Sequence, residues 1–388
     1  MNLIIHDLKE AEWSRISTEY DGWKVVSDKG RIRPCIGCFS CWNKDPGRCA
    51  IKDGYENMGY LIHHADQVVV MSRYTYGGFS GFVKNVFDRS LGYVLPQFEV
   101  VGGETHHRKR YKENKPFTFV FYGHGLTDLE KECARRYVQA VCANIRGHVK
   151  NVIFRQSDNL SGAFTPEPAG ENKDIGKHAG KVILLNGSMR NIKGNSAKLA
   201  RRLKEQLAGK PEIIDLKDYL SNMTALAGKL EEAETIILCI PLYVDGLPSQ
   251  IISFLEMYPG KHHDERKRIY VLANMGLYES RQLVNLFSAV SQWCGKAGFT
   301  YCGGLGISAG ELLGTLMEII PFRLGPTRKA ALGMARLAAA ADRGEMIEDI
   351  YVEPYHFPRS LYIRIANTSW NKAARKNGIR PADLYRRL

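Results

Sequence analysis

The chain predicts an α/β protein of two tandem domains, each a doubly wound parallel sheet. Three observations point there. Short β-branched apolar runs alternate with amphipathic helical stretches, that order occurs twice, and one half slides onto the other. A single offset sets Val68-to-Asp88 on Ile236-to-Glu256, each a strand, a glycine-bearing loop, a helix and an acid. Such alternation implies right-handed crossovers with helices on both faces of the sheet.

Asn2 to His6 and Trp23 to Ser27 read as strands, and Gln67 to Ser72 (QVVVMS) as a strand buried on both faces. Phe79 to Leu91 reads as a helix, Phe117 to Tyr122 as a strand, Leu129 to Ile145 as a helix and Lys150 to Arg155 as a strand. Ser157 to Lys177 carries Pro, Gly, Ser and charge without periodicity, the mark of a linker. The pattern restarts with Lys181 to Asn186 (KVILLN), the helix Ser196 to Leu207, and strands around Glu212 to Leu216 and at Thr235 to Ile240. Ser249 to Met257 and Ser280 to Gly295 read as helices, and Ile269 to Asn274 and Phe299 to Gly304 as strands. The predicted boundaries are 1–160 for the first domain, 161–178 for the linker, 179–345 for the second domain and 346–388 for a basic helical tail.

A length of 388 residues suits two domains. With 44% hydrophobic and 24% charged residues, a disordered, collagen-like or coiled-coil chain is excluded. No window approaches 18 uninterrupted apolar residues, so no membrane-spanning helix is expected. The start, MNLIIHDLKEAEW, lacks the long apolar region of a secretory signal, which makes a cytoplasmic location the expectation. Lys and Arg number 54 against 41 acids, a formal charge of +13. The densest clusters, His106 to Arg110 and Lys261-His262-His263 through Arg266-Lys267-Arg268, are short and lack interleaved aromatics. Nucleic acid is therefore disfavoured, and solvated loops with attraction for anionic cofactors are favoured. Phe357 to Arg364 and Trp370-Asn371-Lys372 could form an interfacial helix, but a helix packed on the domain is favoured over a membrane contact.

Five of the nine cysteines, Cys133, Cys142, Cys239, Cys294 and Cys302, lie among apolar neighbours as core filler. The other four, Cys35, Cys38, Cys41 and Cys49, sit close together in one stretch of the first half. Three thiolates at x2-x2 spacing can wrap one corner of an iron–sulfur cube, and a fourth a loop away can close it. Zinc and free or redox-active thiols stay open, although zinc sites usually space their Cys pairs further apart.

Three loops of the second half carry the remaining chemistry. Gly187-Ser188-Met189-Arg190-Asn191-Ile192-Lys193-Gly194-Asn195-Ser196 joins a strand to a helix. Free N–H groups, the helix dipole and the side chains of Ser188, Asn195 and Ser196 make it an anion cradle. Neither a dinucleotide fingerprint nor an NTP loop fits, so a terminal phosphate without metal is the better match; an ordinary capped turn stays open. Pro241-Leu242-Tyr243-Val244-Asp245-Gly246-Leu247-Pro248 leaves the next buried strand and offers an edge for a flat heterocycle. Asn274-Met275-Gly276-Leu277-Tyr278-Glu279 offers backbone polar groups at the same rim. Tyr243 and Tyr278 could flank the ring, and Tyr243 equally could be a core aromatic.

The set GSMRNIKGNSAK, PLYVDGLPSQIISFLE and NMGLYES resembles the NAD(P)H-dependent FMN reductase branch of the flavodoxin-like superfamily. The resemblance implies two flavodoxin-like domains, FMN as cofactor and NADH or NADPH as reductant. It implies Ser188, Arg190, Asn195 and Ser196 for the FMN phosphate. For the ring it implies Pro241, Leu242, Tyr243, Val244 and Gly246, with Asn274 and Gly276 beside them. No side-chain acid–base pair is required for hydride transfer, and no catalytic residue is named.

The spacing of Cys35, Cys38, Cys41 and Cys49 is similar to that of iron–sulfur flavoproteins, which implies a 4Fe–4S cluster; cluster-free relatives carry a similar loop. The first half departs from the pattern. Arg73 and Thr75 replace the family's Pro and Tyr, and Asp7, Glu10 and Glu12 follow the first strand where a phosphate would sit. Iron–sulfur flavoproteins work as dimers, so the complementary losses imply a fused pseudo-dimer, with the cluster in domain one and FMN in domain two. The expected function is an NAD(P)H-dependent FMN oxidoreductase. It would pass electrons to a cluster, a redox protein or a small acceptor such as a quinone, nitroarene or flavin. The alternative is a redox-sensing or electron-carrier flavoprotein without turnover. A homodimer of the fused chain is a further expectation.

Overall fold

The computed structural model describes residues 1–156, 180–190, 194–258 and 267–388. The expected linker 161–178, residues 191–193 of the phosphate loop, and the basic run from Lys261 to Arg266 lie outside the described residues. The chain divides into unit 1, Met1–Ala163 with Ile363–Leu388, and unit 2, Phe164–Tyr362.

Unit 1 runs β1 (Leu3–His6), α1 (Glu10–Ile16), β2 (Lys24–Ser27), α2 (Ser40–Asn43), α3 (Met58–His64), β3 (Val68–Arg73) and α4 (Gly81–Asp88). It continues with β4 (Val94–Val101), β5 (Glu104–Lys109), β6 (Pro116–Gly123), α5 (Asp128–Ile145) and β7 (His148–Gln156). Five strands form a parallel sheet in the order β2-β1-β3-β6-β7. With the β4–β5 hairpin set aside, that is the flavodoxin-like order 2-1-3-4-5. Ile4, Val69, Met71 and Val120 pack on one face with Trp13, Tyr20 and Trp23. α5 starts at a capping box in which Thr127 and Glu130 satisfy each other's backbone amides.

Unit 2 runs β8 (Val182–Asn186), α6 (Asn195–Lys204), β9 (Glu212–Asp215), α7 (Met223–Glu231), β10 (Thr235–Pro241), α8 (Ser249–Met257) and β11 (Arg268–Asn274). Then follow α9 (Val284–Ala297), β12 (Thr300–Ile307), α10 (Gly310–Ile319), α11 (Arg328–Arg343), β13 (Ile350–Val352) and α12 (Arg359–Lys376), whose later turns belong to unit 1. The sheet order β13-β12-β11-β10-β8-β9 repeats the arrangement of unit 1 with one more edge strand. Both units are therefore flavodoxin-like, in tandem. Among the described residues, no helix is long and apolar enough to cross a membrane.

Three features differ from the sequence reading. His106 to Arg110, read as part of a solvated basic loop, spans the antiparallel strand β5 and the residue after it, with His106 and Arg110 buried. The burial has a reason: His106 Nδ1 meets Asn144 Oδ1 at 2.8 Å, and Arg110 is wrapped by backbone carbonyls. β13 adds an edge strand whose three residues were too few to show a period. The stretch read as one tail, 346–388, is shared between the units.

Candidate functional site

In an open α/β sheet, ligands bind outside the carboxyl ends of the strands where the strand order switches. In unit 2 those ends are β8, β10 and β11, and they carry the three loops read from the sequence.

The first loop is built tightly. Gly187 leaves β8 with its N–H on the Cys239 carbonyl at 3.0 Å. A Cβ on Gly194 would fall 2.3 Å from Ser188 Oγ, so a side chain there would displace that hydroxyl from the loop. Ser188 is buried, its N–H donating to Asn186 Oδ1 at 3.2 Å and its Oγ accepting from the Arg190 amide at 3.3 Å. Gly194 caps α6 without a side-chain hydrogen bond, which leaves the helix's first N–H groups and its positive end to the loop.

Not every side chain of the phosphate set faces this cradle. Asn195 lies against α10, where a Cβ on Gly314 would come within 2.2 Å of its Oδ1. The Arg190 guanidinium is 3.1 Å from Glu311 of α10. Ser196 is buried beside Asn274, whose Nδ2 donates to its Oγ at 3.1 Å.

Asn274 ties the three loops together. Its side chain holds Ser196 of the first, and its carbonyl accepts from Leu242 N of the second at 2.8 Å. The second loop then turns sharply. Tyr243 and Gly246 exchange backbone bonds of 3.1 and 3.0 Å across Val244 (φ 37°) and Asp245 (φ 59°). Two successive left-handed residues make a primed turn, a geometry that favours Asn and Gly and strains a β-branched valine. Pro241, Leu242, Tyr243 and Val244 are half-buried at the rim, and Gly246 is buried.

The third loop is held by a strap that sequence reading missed. The Tyr362 hydroxyl donates to the Gly276 carbonyl, and the Tyr278 hydroxyl to the Phe357 carbonyl at 2.5 Å. Arg359 pairs with Glu279 at 2.9 Å, and Ser280 N donates to Glu353 at 3.1 Å. These partners are far apart in sequence, and no local pattern announces them. Tyr278, a candidate to flank the ring, has its hydroxyl committed to this strap.

Unit 1 repeats the turn and replaces the cradle. Thr75 and Gly78 exchange bonds of 3.0 and 2.9 Å across Tyr76 (φ 45°) and Gly77 (φ 83°). The offset that sets Val68 on Ile236 also sets Thr75 and Gly78 on Tyr243 and Gly246. At the end of β1, however, stands Asp7. Its carboxylate accepts from Arg73 N at 3.1 and 3.2 Å, from the Tyr122 hydroxyl at 2.9 Å, and from Ser80. Burial pushes this carboxyl above its ordinary range, while those donors pull it back. The donors at these strand ends are taken up by a side chain.

The thiol loop lies between β2 and α3. Cys38 is exposed, Cys35 and Cys41 are half-buried and Cys49 is buried. Burial pushes the Cys35 thiol up to about 12, with Asp88, Cys49 and Cys38 adding to it and the Gly37 amide opposing. Burial raises Cys41 well above the usual thiol range, and Cys35, Cys49 and Cys38 all act on it. The four thiols thus share one neighbourhood. Among the described residues no three His, Cys, Asp or Glu side chains are gathered tightly enough for a single metal ion. Trp42 anchors the loop, its Nε1 donating to Leu91 and Val94 carbonyls at 2.8 and 3.0 Å. Beneath it lies the fully buried pair Lys84–Asp88, and Arg89 pairs with Asp53 at 2.5 Å. None of these buried charges was legible as part of the site.

Residues 180–295 match a family described as NADPH-dependent FMN reductase. An iron–sulfur flavoprotein of Methanocaldococcus jannaschii is 35% identical over 65 residues, 17% of this chain. The match covers 32% of that protein, so the chain spans about a third of the length of the curated relative it matches. Among solved structures, an FMN-dependent NADH-azoreductase from Bacillus anthracis is 13% identical, covering 42% of this chain and 99% of that one, with a TM-score of 0.30. The Trp repressor binding protein from Bacillus subtilis is 20% identical, covering 33% and 84%, with a TM-score of 0.29. The segment similar to the NADPH-dependent FMN reductase family, residues 180–295, is the one that carries the cradle and the two rim loops.

Proposed function

We propose that this chain is an NAD(P)H-dependent FMN oxidoreductase, with FMN in unit 2 and a 4Fe–4S cluster on Cys35, Cys38, Cys41 and Cys49 in unit 1. The observation that carries the flavin half is Asn274, which draws the uncapped N-terminus of α6 and the strained Val244 turn to one rim. The donor set fits FMN. Backbone N–H groups of the first loop and α6 suit a terminal phosphate, with Ser188 shaping the loop. Pro241, Leu242, Tyr243, Val244 and Gly246 would line one edge of the ring, and Asn274 and Gly276 the other.

Bound FMN would supply the two-electron chemistry, accepting hydride from NADH or NADPH. The chain's own contribution is orientation. The strained turn and the strap from Glu353 to Tyr362 hold the rim loops rigid, and no proton need be moved by a side chain. In unit 1, Asp7 takes the place of a phosphate, which supports a single flavin per chain. The convergent thiols and the Gly37 amide directed at Cys35 suit an iron–sulfur cube as the electron exit. A redox protein or a small acceptor such as a quinone would receive the electrons.

The test is anaerobic mixing of the FMN-loaded chain with NADH or NADPH, followed by addition of a quinone. Bleaching of the flavin absorbance and sustained turnover are expected. FMN that stays oxidised with either nicotinamide would leave an electron carrier instead.

A further inference from the structure

We infer that Arg110 is the built-in counter-charge of the thiol site, a positioning residue whose buried positive charge offsets four thiolates held close together. This rests on the reading of Cys35, Cys38, Cys41 and Cys49 as cluster ligands, and concerns a residue far outside their motif.

Arg110 follows β5 and is 3% exposed. Its Nε donates to the Gly92 carbonyl at 2.7 Å, and Nη1 donates to the carbonyls of Leu384 and Arg386, both at 2.7 Å. Nη2 reaches the Val94 carbonyl at 3.4 Å. All four acceptors are neutral, and among the described residues no carboxylate pairs with it. Carbonyl dipoles satisfy the N–H groups but leave a unit of charge in a medium that solvates it poorly. Burial accordingly pulls the guanidinium down to about 10; Tyr111 and Cys41 counter that, and Arg386 adds to it. Cys41 is the member of that group with a reason to become an anion.

The neighbouring Arg89 makes the contrast. It is equally buried and acts on Cys49, but Asp53 at 2.5 Å already balances its charge. Arg110 has no such partner. It is also fixed in place relative to the thiols. The Val94 carbonyl that it reaches also accepts from Nε1 of Trp42, next in sequence to Cys41. Gly92 lies so close to Gly47 that an added Cβ would come within 2.5 Å of its carbonyl.

A cube with four thiolate ligands is a net anion, and reduction adds one electron to it. A fixed positive charge beside one ligand favours the reduced form, through the charge and hydrogen-bond levers that set such potentials. The experiment compares the full chain, Arg110→Gln and Arg110→Lys, purified anaerobically. Iron per chain is counted, FMN content checks the fold of unit 2, and the cluster's midpoint is read by redox titration with electron paramagnetic resonance. For Arg110→Gln the account expects either loss of iron or a fall of at least tenfold in the reduced-to-oxidised ratio at fixed potential, about 59 mV for one electron. Arg110→Lys should keep its iron and lie nearer the unmodified chain. Full iron with an unchanged midpoint in Arg110→Gln overturns the inference, as does equal loss of iron in both variants. An unmodified chain without iron instead ends the cluster reading itself, and this inference with it.

Discussion

Asp7 in unit 1 stands at the backbone position that Gly187 holds in unit 2. The amide of Asp7 reaches the Met71 carbonyl at 3.4 Å, and that of Gly187 reaches the Cys239 carbonyl at 3.0 Å. Met71 and Cys239 fall on each other at the same offset that superimposes Val68 on Ile236. Tyr122 likewise holds the place of Asn274, since Arg73 pairs with Tyr122 as Pro241 pairs with Asn274. A carboxylate and a phenol therefore occupy one copy of a site that the other copy leaves to glycine and amide.

The first prediction concerns that carboxylate. Its folded-state pKa is raised by burial, so its favourable contribution is present below the ordinary value of 3.8 and lost as pH rises through the folded value. Asp7→Asn removes the titration. The variant should gain on the parent near pH 7, and the gain should shrink as the pH falls toward 4. Urea midpoints at the two pH values measure it, and an equal difference at both would refute the assignment.

Gly194→Ala places a methyl against Ser188 Oγ and forces that hydroxyl off the Arg190 amide. FMN should bind about tenfold more weakly, a loss of roughly 1.4 kcal/mol, read by quenching of flavin fluorescence on titrating the apoprotein. Folding stability should change little, because φ at this residue is ordinary for alanine.

Val244→Gly should separate stability from binding. Glycine relieves a left-handed valine, so thermal stability should rise by about 1 kcal/mol. The same change loosens the turn at the ring's edge, and FMN affinity should fall. Parallel loss of both would show that the strain contributes nothing to the site.

Lys84→Met takes the ammonium away from the buried Asp88 carboxylate. The cost should be about 3–5 kcal/mol in urea unfolding, and Lys84→Met with Asp88→Leu should recover most of it. The double variant also removes the negative charge that raises Cys35.

Much of this was legible in the residues. The apolar runs at Val68 and Thr235 announce buried parallel strands, and the glycine and hydroxyl content around Ser188 announces an anion loop. What escaped was set by contacts distant in sequence. Lys84 and Asp88 have the spacing of an exposed helical pair, and only packing shows them buried. Arg110 looks like one more cation in a basic run, because the carbonyls it needs come from residues 384 and 386. The strap over Gly276 depends on Tyr362, which in sequence belongs to a tail without a motif.

Iron and acid-labile sulfide counted per FMN, on the chain purified without oxygen, test the central claim most directly. The account predicts near four of each per flavin, and Cys38→Ala that loses the iron while keeping the FMN. One flavin with no iron would contradict the cluster, and two flavins per chain would contradict Asp7 as the plug of the first site.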